Sequence, residues 1–368
     1  MTNHTFKVGV IGTGLIGNAA HLPAWKHQEA LGNVEVVGTA DIIEARAQES
    51  AERYEVPHAY GDWQTMLDEL DLDIVSVCTP NNYHKPITIA ALNAGVNVFC
   101  EKPIAPSYED AVAMYETAEE VGKTLFITQT SRFNPTSWAA KEFVDNGDLG
   151  EIYYAETSAM RRRGIPKWGM FHMKAHNTGG PVYDLGVHMI DLLFWLMGNP
   201  KVEAVSGKTY LKLGNKDEGL KESLTESGAP VDVFTPRPYD YKEFDVEDFA
   251  SGYIRLENGA TLGFRTSWAA NIPEGIGKTF MVGTQGGLQL RPFLYISNMG
   301  SYQVDVTPKI PQGRDVAFAG HWNAAEHFVE VLRDDAEMIV KKDEVLNVIR
   351  TLDALYRSSD EDREIRLD

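Results

Sequence analysis

At 368 residues the chain exceeds an ordinary single domain and suits two of unequal character. Its 43% hydrophobic and 24% charged residues belong to a globular protein and exclude disordered, collagen-like and disulfide-scaffold chains. Thirty-four basic against 53 acidic residues leave a net charge of −19, which repels phosphate backbones and anionic lipid and argues against nucleic-acid or membrane partners.

The chain opens MTNHTFKVGV and passes directly into an apolar strand, without the basic-then-hydrophobic order of a signal peptide. No apolar run reaches the ~18 residues of a membrane span. Cys78 and Cys100 each lie in an apolar segment and read as buried, reduced thiols of a cytoplasmic protein.

The first third alternates β-branched runs with helical stretches. Strands are predicted at 7–12, 34–41, 73–78, 96–102 and 124–130, separated by helices that run to about Gly32, through Tyr54, over 84–93 and over 108–121. Gly95 and Gly122 stand where helix C-caps belong. Apolar strands separated by helices predict a doubly wound parallel α/β sheet, a Rossmann-type domain over 1–130. After Arg132 the rhythm changes. Strand-like runs at 151–161, 249–257, 260–269, 278–284, 287–290, 293–297 and 302–306 meet through short turns, Asn258-Gly259 being the strongest hairpin signal. They predict an α+β domain over 131–368 with an open, mainly antiparallel sheet. A helical pattern from about His321 to Ser358 follows, free to pack back on the first domain. The polar Gly- and Pro-rich stretch 211–240 reads as a surface excursion.

VGVIGTGLIG places Gly12, Thr13, Gly14, Leu15, Ile16 and Gly17 in a G-x-G-x-x-G loop between the first strand and a helix. That geometry wants a tight turn at the first glycine, close pyrophosphate approach at the second and close helix–strand packing at the third. Asp41 ends the second strand 24 residues after Gly17, where a carboxylate accepts the adenosine ribose hydroxyls and repels a 2′-phosphate. The cofactor expected is NAD rather than NADP, with Arg46 the one nearby residue that could favour a phosphate.

Later motifs add to this. CTPNNYH (78–84) and EKP (101–103) stand at strand carboxyl ends, GGPVYDLGVHMIDLLFW (179–195) carries Asp184 and His188, and DVEDFASGYIRLENGATL leads into the hairpin. Together they resemble the glucose–fructose oxidoreductase / inositol dehydrogenase / MocA family of sugar and polyol dehydrogenases, over nearly the whole chain. The resemblance implies a catalytic trio of Lys102, Asp184 and His188 and a Lys102–Pro103 bond that is often cis. It also places Thr79, Pro80, Asn81, Glu101 and Lys102 at the cofactor. A homodimer or homotetramer is implied as well.

Without the family, helix 181–197 is apolar almost all round and therefore buried, yet Asp184, His188 and Asp191 share one stripe. Spacing alone leaves a structural Asp–His pair and a catalytic one level. Lys102, leaving a buried strand end where ligands of open sheets bind, tips the balance to catalysis. His84 either packs or walls the cofactor pocket. In MRRRGIPKWG (160–169), Arg163 and Trp168 are candidate sugar contacts. His172, Lys174 and His176 lie nearby without an assignable role. No zinc ligand set such as C-x-x-C is present, so no metal is expected. The function expected is NAD-dependent oxidation of a secondary alcohol of a sugar, sugar derivative or inositol. His188 would take the hydroxyl proton, and the rate would rise with pH through its titration near ~6.5. The alternatives are a glycoside-cleaving enzyme that oxidises transiently and a non-catalytic NAD-sensing regulator.

Overall fold

The computed structural model describes residues 4–216, 237–273 and 275–367, arranged around two sheets. The first is wholly parallel: β1 (Phe6–Ile11), β2 (Val34–Ala40), β3 (His58–Tyr60), β4 (Ile74–Val77), β5 (Asn97–Cys100) and β6 (Leu125–Ile127), in spatial order β3-β2-β1-β4-β5-β6. Helices α1 (Leu22–Ala30), α2 (Glu44–Tyr54), α3 (Trp63–Glu69), α4 (His84–Asn93) and α5 (Tyr108–Val121) alternate with the strands. Val8, Val10, Ile74, Val75, Val77 and Val98 are wholly buried, because helices cover both faces of the central strands. Strand order reverses between β1 and β4, which opens a crevice at their carboxyl ends, the place where ligands of such sheets bind.

The second sheet contains β7 (Ile152–Met160), β8 (Val202–Tyr210), β9 (Phe249–Leu256), β10 (Thr261–Ser267), β11 (Thr279–Gly283), β12 (Gly287–Leu290), β13 (Phe293–Met299), β14 (Tyr302–Val306) and β15 (Ile365–Arg366). Its order is β14-β13-β12-β11-β7-β10-β9-β8-β15, antiparallel except where β7 meets β10. The Asn258-Gly259 turn joins β9 to β10 as expected, with Gly259 at a φ of 87°. Helices α6 (Pro135–Asp145), α7 (Lys174–Asn177) and α8 (Val187–Leu196) follow the first sheet. Near the chain's end come α9 (Ala319–Leu332) and α10 (Lys342–Glu361). α9 packs on α1, and α10 packs on β8, α8 and α5, so the closing helices do reach back to the first sheet's layer.

Several elements differ from expectation. β3 is too short for its pattern to register, and β8, with Ser206, Gly207 and Lys208 in its middle, is held by its ladder with β9 rather than by its own sequence. Helix 181–197 is present, but its first turn, Val182–Gly186, is π-helical and runs directly into α8. Most of the 211–240 excursion lies outside the described residues. No helix among them is long and apolar enough to cross a membrane.

Candidate active site

The glycine loop has the three-part geometry that its pattern demands. Gly12 takes a φ of 94°, and a Cβ there would sit 2.8 Å from the Cys78 carbonyl group. A Cβ at Gly17 would lie 2.2 Å from Gly12 O, whereas at Gly14 nothing lies within 4 Å. The outer glycines thus serve backbone packing, and the middle one leaves open room for a diphosphate. Asp41 braces this loop: its Oδ2 accepts from Thr13 N at 3.0 Å, and its Oδ1 accepts from Ile43 N at 2.9 Å. A carboxylate has lone pairs to spare for ribose hydroxyls beyond these bonds.

At the β5 end, the Lys102–Pro103 peptide is cis, as the EKP motif implies. Lys102 Nζ crosses to the π-helical turn and donates to Asp184 O at 2.9 Å and to its Oδ1 at 3.3 Å. The other oxygen of Asp184 accepts from Trp268 Nε1 at 2.9 Å. Burial pushes the Asp184 carboxyl up, but Lys102, Arg161 and the Trp268 bond together hold it below the usual range, so it is ionised. One turn on, His188 Nδ1 is buried without a hydrogen-bond partner among the described residues. Burial and then the Lys102 charge lower the His188 pKa to about 3, against a smaller opposing pull from Asp184. The imidazole is therefore neutral over the whole working range. The expected rise of rate through ~6.5 is corrected accordingly, because an unperturbed value does not apply in this pocket.

The same shift bears on stability. A ring that titrates near ~6.5 unfolded and about 3 folded takes up a proton on unfolding between those values. Its stabilising contribution is complete above ~6.5 and is lost as pH falls toward 3, by about 2 kcal/mol at pH ~5. His188→Asn should therefore lose less stability than the unmodified protein between pH ~7.5 and ~5. Urea midpoints at the two pH values measure this, and identical pH dependence would show that the ring is not held neutral.

Most of the other expected residues are held by contacts within the protein. His84 is fully buried, its Nδ1 2.8 Å from Pro103 O and its Nε2 2.8 Å from Thr79 O, so it braces the β4 end against the cis proline. Thr79 Oγ1 is buried without a hydrogen-bond partner among the described residues. Asn81 donates to Asn177 O at 3.0 Å, and the neighbouring Asn82 accepts from Thr178 and donates to Ala175 O at 2.8 Å, so the 81–83 turn clamps the α7 loop. Tyr83 completes the clamp through His176 Nδ1 at 3.1 Å. Lys174 is fixed by its backbone N–H, which donates to Asp245. His172 is buried between Tyr239 and Phe244. Trp168 stands against Phe171, with Nε1 buried and without a hydrogen-bond partner among the described residues. Arg163 spends its guanidinium on Ala270 O and Asn271 Oδ1, at 3.2 and 2.8 Å, and Arg161 is the arginine whose charge acts on Asp184. Cys78 and Cys100 are free and buried.

Two residues were not singled out from the sequence. Trp268 orients Asp184, and Glu247 accepts from Gly180 N, Val182 N and Tyr356 Oη at 2.9, 3.0 and 2.8 Å. Glu247 thereby caps the turn that carries Asp184 and leads into the helix of His188. A Cβ at Gly180 would come within 2.1 Å of Glu247 O, which explains the glycine pair before the turn.

Two family models cover most of the chain. Residues 6–129 match the model described as oxidoreductase family, NAD-binding Rossmann fold, and residues 141–367 match that family's C-terminal alpha/beta domain. The chain belongs to the glucose–fructose oxidoreductase / inositol dehydrogenase / MocA family. It is an oxidoreductase of that sugar and inositol dehydrogenase family, with an NAD-binding Rossmann domain. A D-glucoside 3-dehydrogenase of Escherichia coli is 32% identical over 369 residues, covering 100% of this chain and 99% of that protein. A scyllo-inositol 2-dehydrogenase (NADP(+)) of Bacillus subtilis is 26% identical, covering 99% and 96%. A structure of levoglucosan dehydrogenase with NADH and levoglucosan superposes with a TM-score of 0.82 at 20% identity, covering 99% of both chains, which is a likeness of fold.

Proposed function

We propose that the protein oxidises a secondary alcohol of a sugar, glucoside or inositol, with NAD as the acceptor. The reading is carried by one observation: Lys102, at the carboxyl end of β5, meets Asp184 on the turn that leads to a neutral His188. The division into a cofactor domain, 1–130, and a substrate domain, 131–368, rests on the two sheets. The loop from Gly12 to Gly17 would cradle the diphosphate, Asp41 the adenosine ribose, and the segment Thr79–Asn81 the nicotinamide side. Bound NAD supplies the acceptor for the carbinol hydride.

The protein's own residues handle the proton. Lys102 donates to the substrate oxygen and stabilises negative charge that develops there. His188, neutral and with an unpartnered nitrogen, accepts the hydroxyl proton. Its low basicity suffices because the hydroxyl becomes strongly acidic as the carbinol carbon is oxidised. Asp184 favours the imidazolium that results and keeps Lys102 in register.

A panel of hexoses, inositols, sugar acids and methyl and p-nitrophenyl glucosides, scored for NADH formation, tests the assignment. Oxidation of none would overturn it, and release of nitrophenol would mark a glycoside-cleaving enzyme instead. Cofactor choice is a property of this chain, since the relatives include an NADP enzyme. Asp41→Ser should weaken NAD use by about one to two orders of magnitude through the lost charged hydrogen bonds, and should raise relative use of NADP. Equal kcat/KM for both cofactors in the unmodified enzyme would refute the role of Asp41. The open sheet face, where β9 exposes Tyr253 and Arg255 while burying Ile254 and Leu256, suits a homodimer or homotetramer, which light scattering would measure.

A further inference from the structure

We propose that His21 and His321 are positioning residues that fix Lys102 through the buried carboxylate of Glu101. The inference rests on the reading of Lys102 as an active-site group. Glu101 directly precedes Lys102 and is only 5% exposed, where an ionised carboxylate is costly unless it is surrounded by donors. It has them. Oε1 accepts from His21 Nε2 at 2.7 Å and from His321 Nε2 at 2.9 Å, and Oε2 accepts from Lys102 N at 3.1 Å. Burial pushes the Glu101 carboxyl up, yet the two imidazoles bring it well below its ordinary range.

His21 is itself anchored on its other side. Trp25 Nε1 donates to Ser76 Oγ at 3.0 Å, and that hydroxyl stands 2.7 Å from His21 Nδ1. The ionised Glu101 carboxylate can only accept, so the His21 proton stands on Nε2, facing it. His21 ends the π-helical turn that follows the glycine loop, Glu101 follows β5, and His321 lies in the first turn of α9. One carboxylate thus joins the cofactor loop's helix, the lysine and the closing helices. Its carboxylate is buried as well as engaged at both oxygens, so Glu101 acts through Lys102 rather than by touching the cofactor. Two imidazoles and a carboxylate are also metal-ligand types. Here, however, they bond directly to one another, the two imidazoles lying 2.7 and 2.9 Å from the same carboxylate oxygen.

The test replaces both histidines by leucine, and separately by glutamine, whose amide N–H stands near the Nε2–H it replaces. Crystal structures of the NAD complexes should show Lys102 Nζ out of hydrogen-bond reach of Asp184 in the leucine pair and within reach in the glutamine pair. With methyl β-D-glucopyranoside and NAD, kcat of the leucine pair should fall roughly 10–100-fold, as for a misplacement of about 1 Å. KM and the NAD dissociation constant should hardly change, and the glutamine pair should recover most of the rate. In a Lys102→Met background the leucine pair should lower turnover no further. An unmoved Lys102 would overturn the proposal, as would a leucine pair with unchanged kcat, additive losses, or stoichiometric metal in the purified protein. Full turnover by Lys102→Met would instead overturn the active-site reading, and the position of Nζ would still judge the clamp. If the leucine pair fails to fold, His321→Leu alone carries the same crystallographic readout.

Discussion

Alanine at Lys102 or at His188 should lower turnover by roughly 10²–10⁴-fold while NAD binding, followed by titration calorimetry, stays nearly intact. Neither side chain belongs to the glycine loop or to the Asp41 brace. Each acts where the substrate oxygen must sit. The Lys102 side chain is only 15% exposed and is already aimed by Asp184, so its charge works in a medium far less screening than water. Among the described residues its removal leaves the Asp184 carboxylate with the Trp268 bond alone, and the mutant penalty will include that reorganisation. The double variant should be little worse than the poorer single one, since both groups serve the same proton. The pH profile adds an independent check. With the His188 pKa near about 3, the limb of kcat/KM between pH ~5 and ~8 should not belong to the imidazole. If His188→Ala turned over normally, the histidine would not be the base and Lys102 would inherit the role. A limb near ~6.5 that vanished in His188→Ala would instead show that the pocket leaves the ring at its ordinary value.

Which features could be read from the sequence follows from how local their physics is. The glycine loop was legible because its constraints, a positive φ and two close backbone approaches, act within a strand–turn–helix of a dozen residues. Lys102, Asp184 and His188 were legible as residue types at telling places. Their relation depends on β5 facing a π-helical turn that apolar periodicity cannot show, since Val182 to Leu196 reads as one helix either way. The supports of the site were not legible. Trp268 reaches Asp184 from 84 positions away and Glu247 reaches Gly180 from 67, so neither leaves a spacing signal. His21 in HLPAW reads as an ordinary packed histidine, and only Glu101, 80 residues later, gives it work. Arg161 and Arg163 share a face by alternation. The bridge from Arg163 to Ala269 separates their roles by tying Arg163 to the end of β10.

Arg132→Met should be the most destabilising of the substitutions away from the catalytic groups. Arg132 and Asp191 are both wholly buried, and the guanidinium forks onto the carboxylate with Nε to Oδ2 at 2.9 Å and Nη2 to Oδ1 at 2.6 Å. Nη1 bonds Ile339 O at 3.1 Å and pairs with Glu344 at the start of α10. Burial works against the guanidinium charge, but Asp191 and Glu344 more than offset it, so the arginine is held protonated. One side chain just beyond β6 thus joins α8, which carries His188, to α10, which packs on α5. Removing it strands Asp191 at zero exposure with its fork empty, a loss of about 3–5 kcal/mol for a broken buried pair. With an unfolding entropy of ~2.1 cal/mol/K per residue, the melting temperature should drop by roughly 4–6 °C. Replacing both partners, as Arg132→Met with Asp191→Leu, removes the orphan charge and should restore much of the loss, because the net worth of a buried pair over apolar packing is small. Calorimetric scans of the three proteins decide the matter. A single variant as stable as the parent, or a double variant worse than the single, would mean that Asp191 does not depend on Arg132 for its charge.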